Sequence, residues 1–130
     1  MEQLTNQFQS VVKELLIRHQ SILDILTKGQ ETSARVNRAV VKAVTNCGCV
    51  EIDAAKKPLP EDVSLFDLKD LLNSHVKGAL CDNCRDIIET ELGKQLFYLA
   101  ALANTLDISL SDVLVKEQKK LSTLTIFNMT

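Results

Sequence analysis

Apolar residues recur at intervals of three and four over the first stretch of the chain, at Leu4, Phe8, Val11, Val12, Leu15, Leu16, Ile22, Leu23, Ile25 and Leu26, with neither Gly nor Pro between them. Positions so spaced share one side of a helix, and they predict a long amphipathic helix over 3–26. Lys28-Gly29 is expected to end it, a basic last turn followed by a residue free to take positive φ. Thr32 or Ser33 then offers a cap for a second helix over 33–46, with Val36, Val40, Ala43, Val44 and Cys47 on one stripe. Pro58 and Pro60 keep the segment 53–63 out of regular helix, so it reads as a polar loop. Ser64 with Asp67 three later resembles a helix start, and a short helix is expected near 65–75, ended by Lys77-Gly78.

The pattern changes between 82 and 105. Ile87, Ile88, Leu92, Leu96, Phe97, Leu99, Ala100, Leu102 and Ala103 cover more than one face, as in a central helix with several neighbours. Asp107-Ile108-Ser109 interrupts it, and Ser109 with Asp112 caps a last helix over 110–121 carrying Leu110, Val113, Leu114 and Leu121. The order predicts one all-α domain over 1–130, a four-helix-bundle-like arrangement with one short extra helix.

With 45% apolar but only 4% aromatic residues and no Trp, the core must be filled by Leu, Ile, Val and Ala, a palette suited to helices. Ten apolar positions in the first helix, the all-round apolar central helix and the tail Leu124, Ile126, Phe127 and Met129 exceed what one thin bundle hides. A homodimer or higher homo-oligomer is therefore expected, joined through the first helix or the tail. A net charge of -2 and a pI near 5.7 disfavour nucleic acid and anionic membrane as partners of the whole domain. The polar N-terminus does not read as a secretory signal, and no stretch reaches the roughly 20 apolar residues of a membrane span. These features place the chain in the cytoplasm, where cysteines serve as thiols or metal ligands more often than as disulfides.

All four cysteines fall in two close pairs, Cys47-x-Cys49 and Cys81-x-x-Cys84. Two short-spaced pairs on separate segments supply the closed tetrahedron of soft ligands that a structural Zn²⁺ takes, and they cross-link those segments. Gly48 permits the tight turn between the first two thiols, and a helix start favours thiolate at Cys84. Four reduced thiols packed as small hydrophobes, an iron–sulfur cluster or a redox-active pair are the other readings. His75 is a spare ligand candidate, whereas His19 reads as a surface or partly buried histidine. Arg35, Arg38 and Lys42, spaced by three and four, form a basic face, either solvated or phosphate-binding.

From Ile88 to Asn104 the chain reads IETELGKQLFYLAALAN, followed by Leu106-Asp107-Ile108 and the helix from Leu110. Over residues 87–121 this order resembles the MazG-like all-α nucleoside triphosphate pyrophosphohydrolases, which carry an E-L-G-D-x-x-x-Y-L type helix ahead of a short turn and another helix. The resemblance implies a four-helix arrangement assembling as dimers or tetramers. It also implies a Mg²⁺ site built from E-x-x-E on one helix and E-x-x-D on the next, whose carboxylates hold the ion against a triphosphate. Glu91 matches the Glu of E-x-x-D, but Lys94 stands in place of its Asp, and the preceding helix from Arg35 to Asn46 has no acidic residue. A zinc-stabilised, non-catalytic domain for assembly or binding is the expectation. The alternative is an active or nucleotide-sensing relative, in which Arg35, Arg38 and Lys42 meet phosphates and Asp86, Glu89 and Glu91 recruit Mg²⁺.

Overall fold

The computed structural model describes residues 2–56 and 58–123, so the apolar tail Leu124, Ile126, Phe127 and Met129 lies outside the described residues. In chain order the elements are α1 (Glu2–Leu15), α2 (Ile22–Lys42), a π-helical turn (Ala43–Cys47), β1 (Val50–Ile52), α3 (Leu65–Leu71), β2 (Val76–Gly78), α4 (Asp82–Thr105) and α5 (Leu110–Thr123). The chain is all-α apart from β1 and β2, which pair antiparallel with Val50 opposite Gly78, Glu51 opposite Lys77 and Ile52 opposite Val76.

The expected helix over 3–26 is two helices, and the break falls at 16–21 instead of at Gly29. Local polar groups make the break. The Gln20 side-chain amide donates to the carbonyls of Leu16 (3.3 Å) and Ile17 (3.1 Å), satisfying acceptors released where α1 ends. Ser21 is extended and its hydroxyl accepts the N–H of Leu23 at 3.3 Å, so Ser21, not Thr32 or Ser33, caps α2. His19 Nδ1 lies 2.6 Å from Asp24 Oδ2 across the same corner, a partner that becomes available once the helix breaks. Gly29 then sits inside α2 with nothing within 4 Å of where a Cβ would stand. Its cost to the helix, about 1 kcal/mol, is small beside the packing that continues through it. Thr32, expected at a helix start, is buried in mid-helix and its hydroxyl donates to the Gly29 carbonyl at 2.8 Å.

The second helix departs from α geometry before it ends. In the π-helical turn the Gly48 N–H reaches the Ala43 carbonyl at 2.8 Å, five residues back, and Gly48 closes the turn with φ 79°. The chain then forms β1, a strand the apolar pattern does not predict, ahead of the segment 53–63, which contains no regular helix among its described residues. The short helix stops at Leu71 instead of 75, and Lys77-Gly78 lies in β2 instead of ending a helix. His75 turns the chain with φ 60°, its N–H donating to Asn73 Oδ1 at 2.7 Å, while the Asp53 N–H bonds the His75 carbonyl at 2.8 Å and draws the segment into the sheet. Caps read from Ser64 and Ser109 are present: their hydroxyls accept the N–H groups of Asp67 (3.2 Å) and Asp112 (3.3 Å).

The expected central helix, α4, runs antiparallel to α2, with Leu99 and Leu102 beside Ile25 and Leu26 at one end, and Ile87 beside Ala39 and Lys42 at the other. Two cores result. Val12 of α1, Ile25 of α2 and Ala100 and Ala101 of α4 form one, flanked by Phe8, Leu16, Phe97, Leu102 and Leu110. Ala43, Val50, Cys84 and Ile88 form the other, beside the cysteine pairs. The alanines let α1 approach α4 closely, and Gln9 fastens the contact: its side chain donates to the Ile108 carbonyl at 2.7 Å and accepts from Leu110 N–H at 2.8 Å, and its carbonyl accepts from Asn104 at 3.0 Å. The axes of α4 and α5 meet at 104°, and no single helix among the described residues is long and apolar enough to cross a membrane. Neighbours do not enclose α4 completely, since Leu92, Leu96 and Leu99 stay exposed.

Candidate metal centre

Three local structures carry the thiols to one point. The π-helical turn and Gly48 swing Cys47 and Cys49 around the end of α2, and β1 continues from Cys49 into its pairing with β2. From β2 two residues lead to Cys81, whose extended backbone caps α4 and whose sulfur accepts the Cys84 N–H at 3.4 Å. The sheet is drawn tightly here. Gly78 has φ +84°, and a Cβ on it would lie 2.7 Å from the carbonyl oxygen of Cys49, so this position requires Gly for both conformation and space.

The four Sγ atoms lie within 4.8 Å of one another, with Cys84 buried, Cys49 and Cys81 half-buried and Cys47 exposed. The Cys47 and Cys81 sulfurs are 3.8 Å apart. That is too long for a disulfide, and it matches the roughly 3.8 Å edge of a tetrahedron of sulfurs held at about 2.3 Å from a central ion. All four thiols are free. The donor set and spacing fit a closed metal site, and the four cysteines can hold one ion. His75 takes no part, its Nδ1 facing the Asp53 carbonyl at 3.3 Å.

Electrostatics divide the thiols. The Cys84 N–H, then the Cys84 thiol, hold Cys81 down at about 7. Cys84 is pushed up to about 12, first because its thiol donates to the Cys81 sulfur and then by burial. At Cys47 the Cys49 N–H pulls downward, yet the neighbouring thiols and burial leave the net shift upward. Without a cation the cluster thus favours one thiolate, and further deprotonation needs positive charge among the sulfurs.

The basic residues form a second feature. Arg35, Arg38 and Lys42, with Glu31, Ala34 and Ala39 of α2 and Ile87 and Glu91 of α4, line a groove of about 450 Å³. Glu31 is held below its ordinary range by Lys28 first and then Arg35, at 3.3 and 3.2 Å. Glu91 is largely buried: Oε1 lies 3.6 Å from Lys94 Nζ, and Oε2 is buried with no hydrogen-bond partner among the described residues. Asp86 and Glu89 are exposed and do not line the groove, so they do not join Glu91 as a carboxylate set.

Sequence reasoning missed Gly78 as the residue that lets β2 approach Cys49; the available signal was a Gly three positions before the second cysteine pair. It also missed Ile87 as the apolar wall of the groove, a role indistinguishable in sequence from its neighbour Ile88, which is buried. In comparisons with known proteins the chain matches no family model, no curated protein and no solved structure.

Proposed function

We propose that this chain is a non-catalytic assembly or binding protein, a MazG-like helical domain in which Zn²⁺ on Cys47, Cys49, Cys81 and Cys84 ties the end of α2 to the start of α4. The observation that carries the reading is the state of the carboxylates in the α2–α4 groove. Among the described residues its carboxylates are Glu31 and Glu91: Lys28 and Arg35 engage the first, and Lys94 lies 3.6 Å from one oxygen of the second. A Mg²⁺–triphosphate centre needs several carboxylates free to converge on the ion. The thiol cluster supports the mechanical half of the proposal, because a metal bound only by the folded chain stabilises the fold.

The second reading, a nucleotide sensor or pyrophosphohydrolase using Mg²⁺, is favoured by one observation. Arg38 and Lys42 line the groove without an ion-pair partner among the described residues, and the groove's volume is within the range of small-molecule sites. One preparation tests both readings. The purified chain should contain one zinc per chain, Cys81→Ser should lose it, and incubation with Mg²⁺ and a panel of nucleoside triphosphates should release no pyrophosphate. Sustained pyrophosphate release overturns the non-catalytic reading, and metal-free protein with unchanged thermal stability overturns the zinc tether.

A further inference from the structure

We infer that Cys47 is a modification site for small disulfides that carry carboxylates: the row Arg38, Lys42 and Cys47 takes such a molecule and exchanges one of its halves onto the Cys47 sulfur. The inference goes beyond the binding reading above and needs no bound metal.

The π-helical turn makes the row. Arg35, Arg38 and Lys42 succeed one another by three and four residues and share a face of α2. In α geometry Cys47 would point away from that face, because the five residues from Lys42 rotate the chain by about 500°. The turn over Ala43–Cys47 instead bonds residues five apart, as the Gly48 N–H does to the Ala43 carbonyl at 2.8 Å, so a side chain five positions on returns close to the same line. A pocket of about 220 Å³ accordingly opens onto both Lys42 and Cys47, together with Asn46, Asn83, Cys84 and Ile87. It shares Ala39, Lys42 and Ile87 with the basic groove, so the two form one trough that ends at the thiols.

Charge is graded along this trough. Glu31 lies about three turns before Lys42, at the end away from the cysteines, where Lys28 and Arg35 hold it. Glu91 lies beyond Ile87 at the same end, on the antiparallel helix. Arg38 and Lys42, nearer the sulfur, have no ion-pair partner among the described residues. Asp82 and Asp86 are exposed and line neither part of the trough. Positive potential therefore rises toward Cys47, the exposed member of the four thiols. A site for a bare anion has no use for a sulfur at the end of its cations, whereas an anionic disulfide uses both.

The exchange balances without a further reagent. The Cys47 thiolate attacks one sulfur of the bound disulfide; a new S–S bond forms as the old one breaks, and the other half leaves as a thiolate with the electron pair. The Cys47 sulfur is oxidised and the leaving sulfur reduced, with no proton transferred. Negative charge spreads over three sulfurs during the step, beside the Lys42 ammonium, while the carboxylates of the incoming molecule are drawn by Arg38. The Cys81 sulfur, 3.8 Å from that of Cys47, can then displace the second half as a thiolate and leave a Cys47–Cys81 disulfide.

The test treats the full-length chain, with zinc measured on every sample, with glutathione disulfide, which is anionic, and separately with the neutral hydroxyethyl disulfide. Acid quenching and mass spectrometry of the peptides give the initial rate at which Cys47 becomes a mixed disulfide or joins Cys81. The ratio of the two rates is the readout, because the thiolate fraction of Cys47 cancels from it. The double variant Arg38→Gln, Lys42→Gln should lower the ratio about ten-fold, and the charge-preserving Lys42→Arg should keep it. Circular dichroism should be unchanged in these variants, since both positions are exposed. The same fall should appear in a Cys81→Ser background, where nothing passes to Cys47 through Cys81. A ratio equal in wild type and the double variant overturns the proposal, as does the absence of any Cys47 product. A metal-free chain that keeps the charge preference rejects the zinc tether and leaves this site standing; a zinc-loaded chain without the preference does the reverse.

Discussion

Replacing Gly78 by Ala probes the contact that brings β2 and the second cysteine pair against the first. Gly48→Ala is the natural comparison, since both glycines have positive φ, +79° and +84°, but a Cβ at Gly48 meets nothing within 4 Å while one at Gly78 meets the Cys49 carbonyl oxygen at 2.7 Å. Left-handed backbone costs a non-glycine residue about 1–2 kcal/mol. A chain of this length has an unfolding entropy near 0.27 kcal/mol/K, so each kcal/mol corresponds to about 4 °C. Gly48→Ala should therefore lower the Tm by about 4–7 °C. At Gly78 the strands must also part by several tenths of an ångström, and overpacking of this kind adds about 1–3 kcal/mol, for a total fall of roughly 7–18 °C. Thermal unfolding by circular dichroism at fixed zinc and protein concentration measures the difference. Competition with a chromogenic chelator should show zinc leaving Gly78→Ala faster than wild type, since the displaced carbonyl belongs to a ligand residue. Equal Tm losses in the two variants would refute the reasoning, because they would leave the 2.7 Å approach without energetic consequence.

Ser21→Ala removes the cap on α2 and should cost about 1 kcal/mol, near 4 °C in Tm; a change below 1 °C would show that the break at 16–21 holds without it. Cys81→Ser should cost more, because a tether closing about 32 residues between Cys49 and Cys81 restricts the unfolded chain by roughly 3–4 kcal/mol. Chelation of wild type should give a similar fall, near 13 °C, and a chelator-insensitive melt counts against the tether. In reduced, chelator-treated protein iodoacetamide should modify Cys81 first, since the thiolate reacts and its fraction rises with pH through about 7, while Cys84, held near 12, should react last. Mass spectrometry of the peptides reads the order, and Cys84 reacting as fast as Cys81 at neutral pH contradicts it.

The parts legible in sequence were those fixed by local chemistry. α4 begins after Cys81 and ends at Thr105 as its breaker-free apolar pattern predicts, and the serine caps at 64 and 109 stand where a hydroxyl precedes an Asp by three. The same signal exists at Ser21 and Asp24, yet the continuous apolar spacing on either side masked it. Gly29 misled in the opposite sense, because glycine permits a helix to end without requiring it, and packing on α4 carries α2 through. The three-residue strands are too short to show any alternation; they exist because the ends of the 53–75 segment meet. Pairing of the cysteines was legible because thiols so close along the chain have little room to diverge. Burial of Glu91 was not, since that depends on how α2 lies across α4.

The segment from Asp53 to His75 leaves through β1 and returns through β2, fastened at its base by the strand pair, the Asp53–His75 bond and the ion pair of Lys77 with Asp53. What lies beyond such a clasp is released from the duty of holding its ends together. Doubling its length adds only about 0.6 kcal/mol of closure entropy, so the base can keep its shape while the contents change. That makes this the place to splice in a guest, such as an epitope or a reporter domain, which the helical body would then display on a stem already closed beneath it.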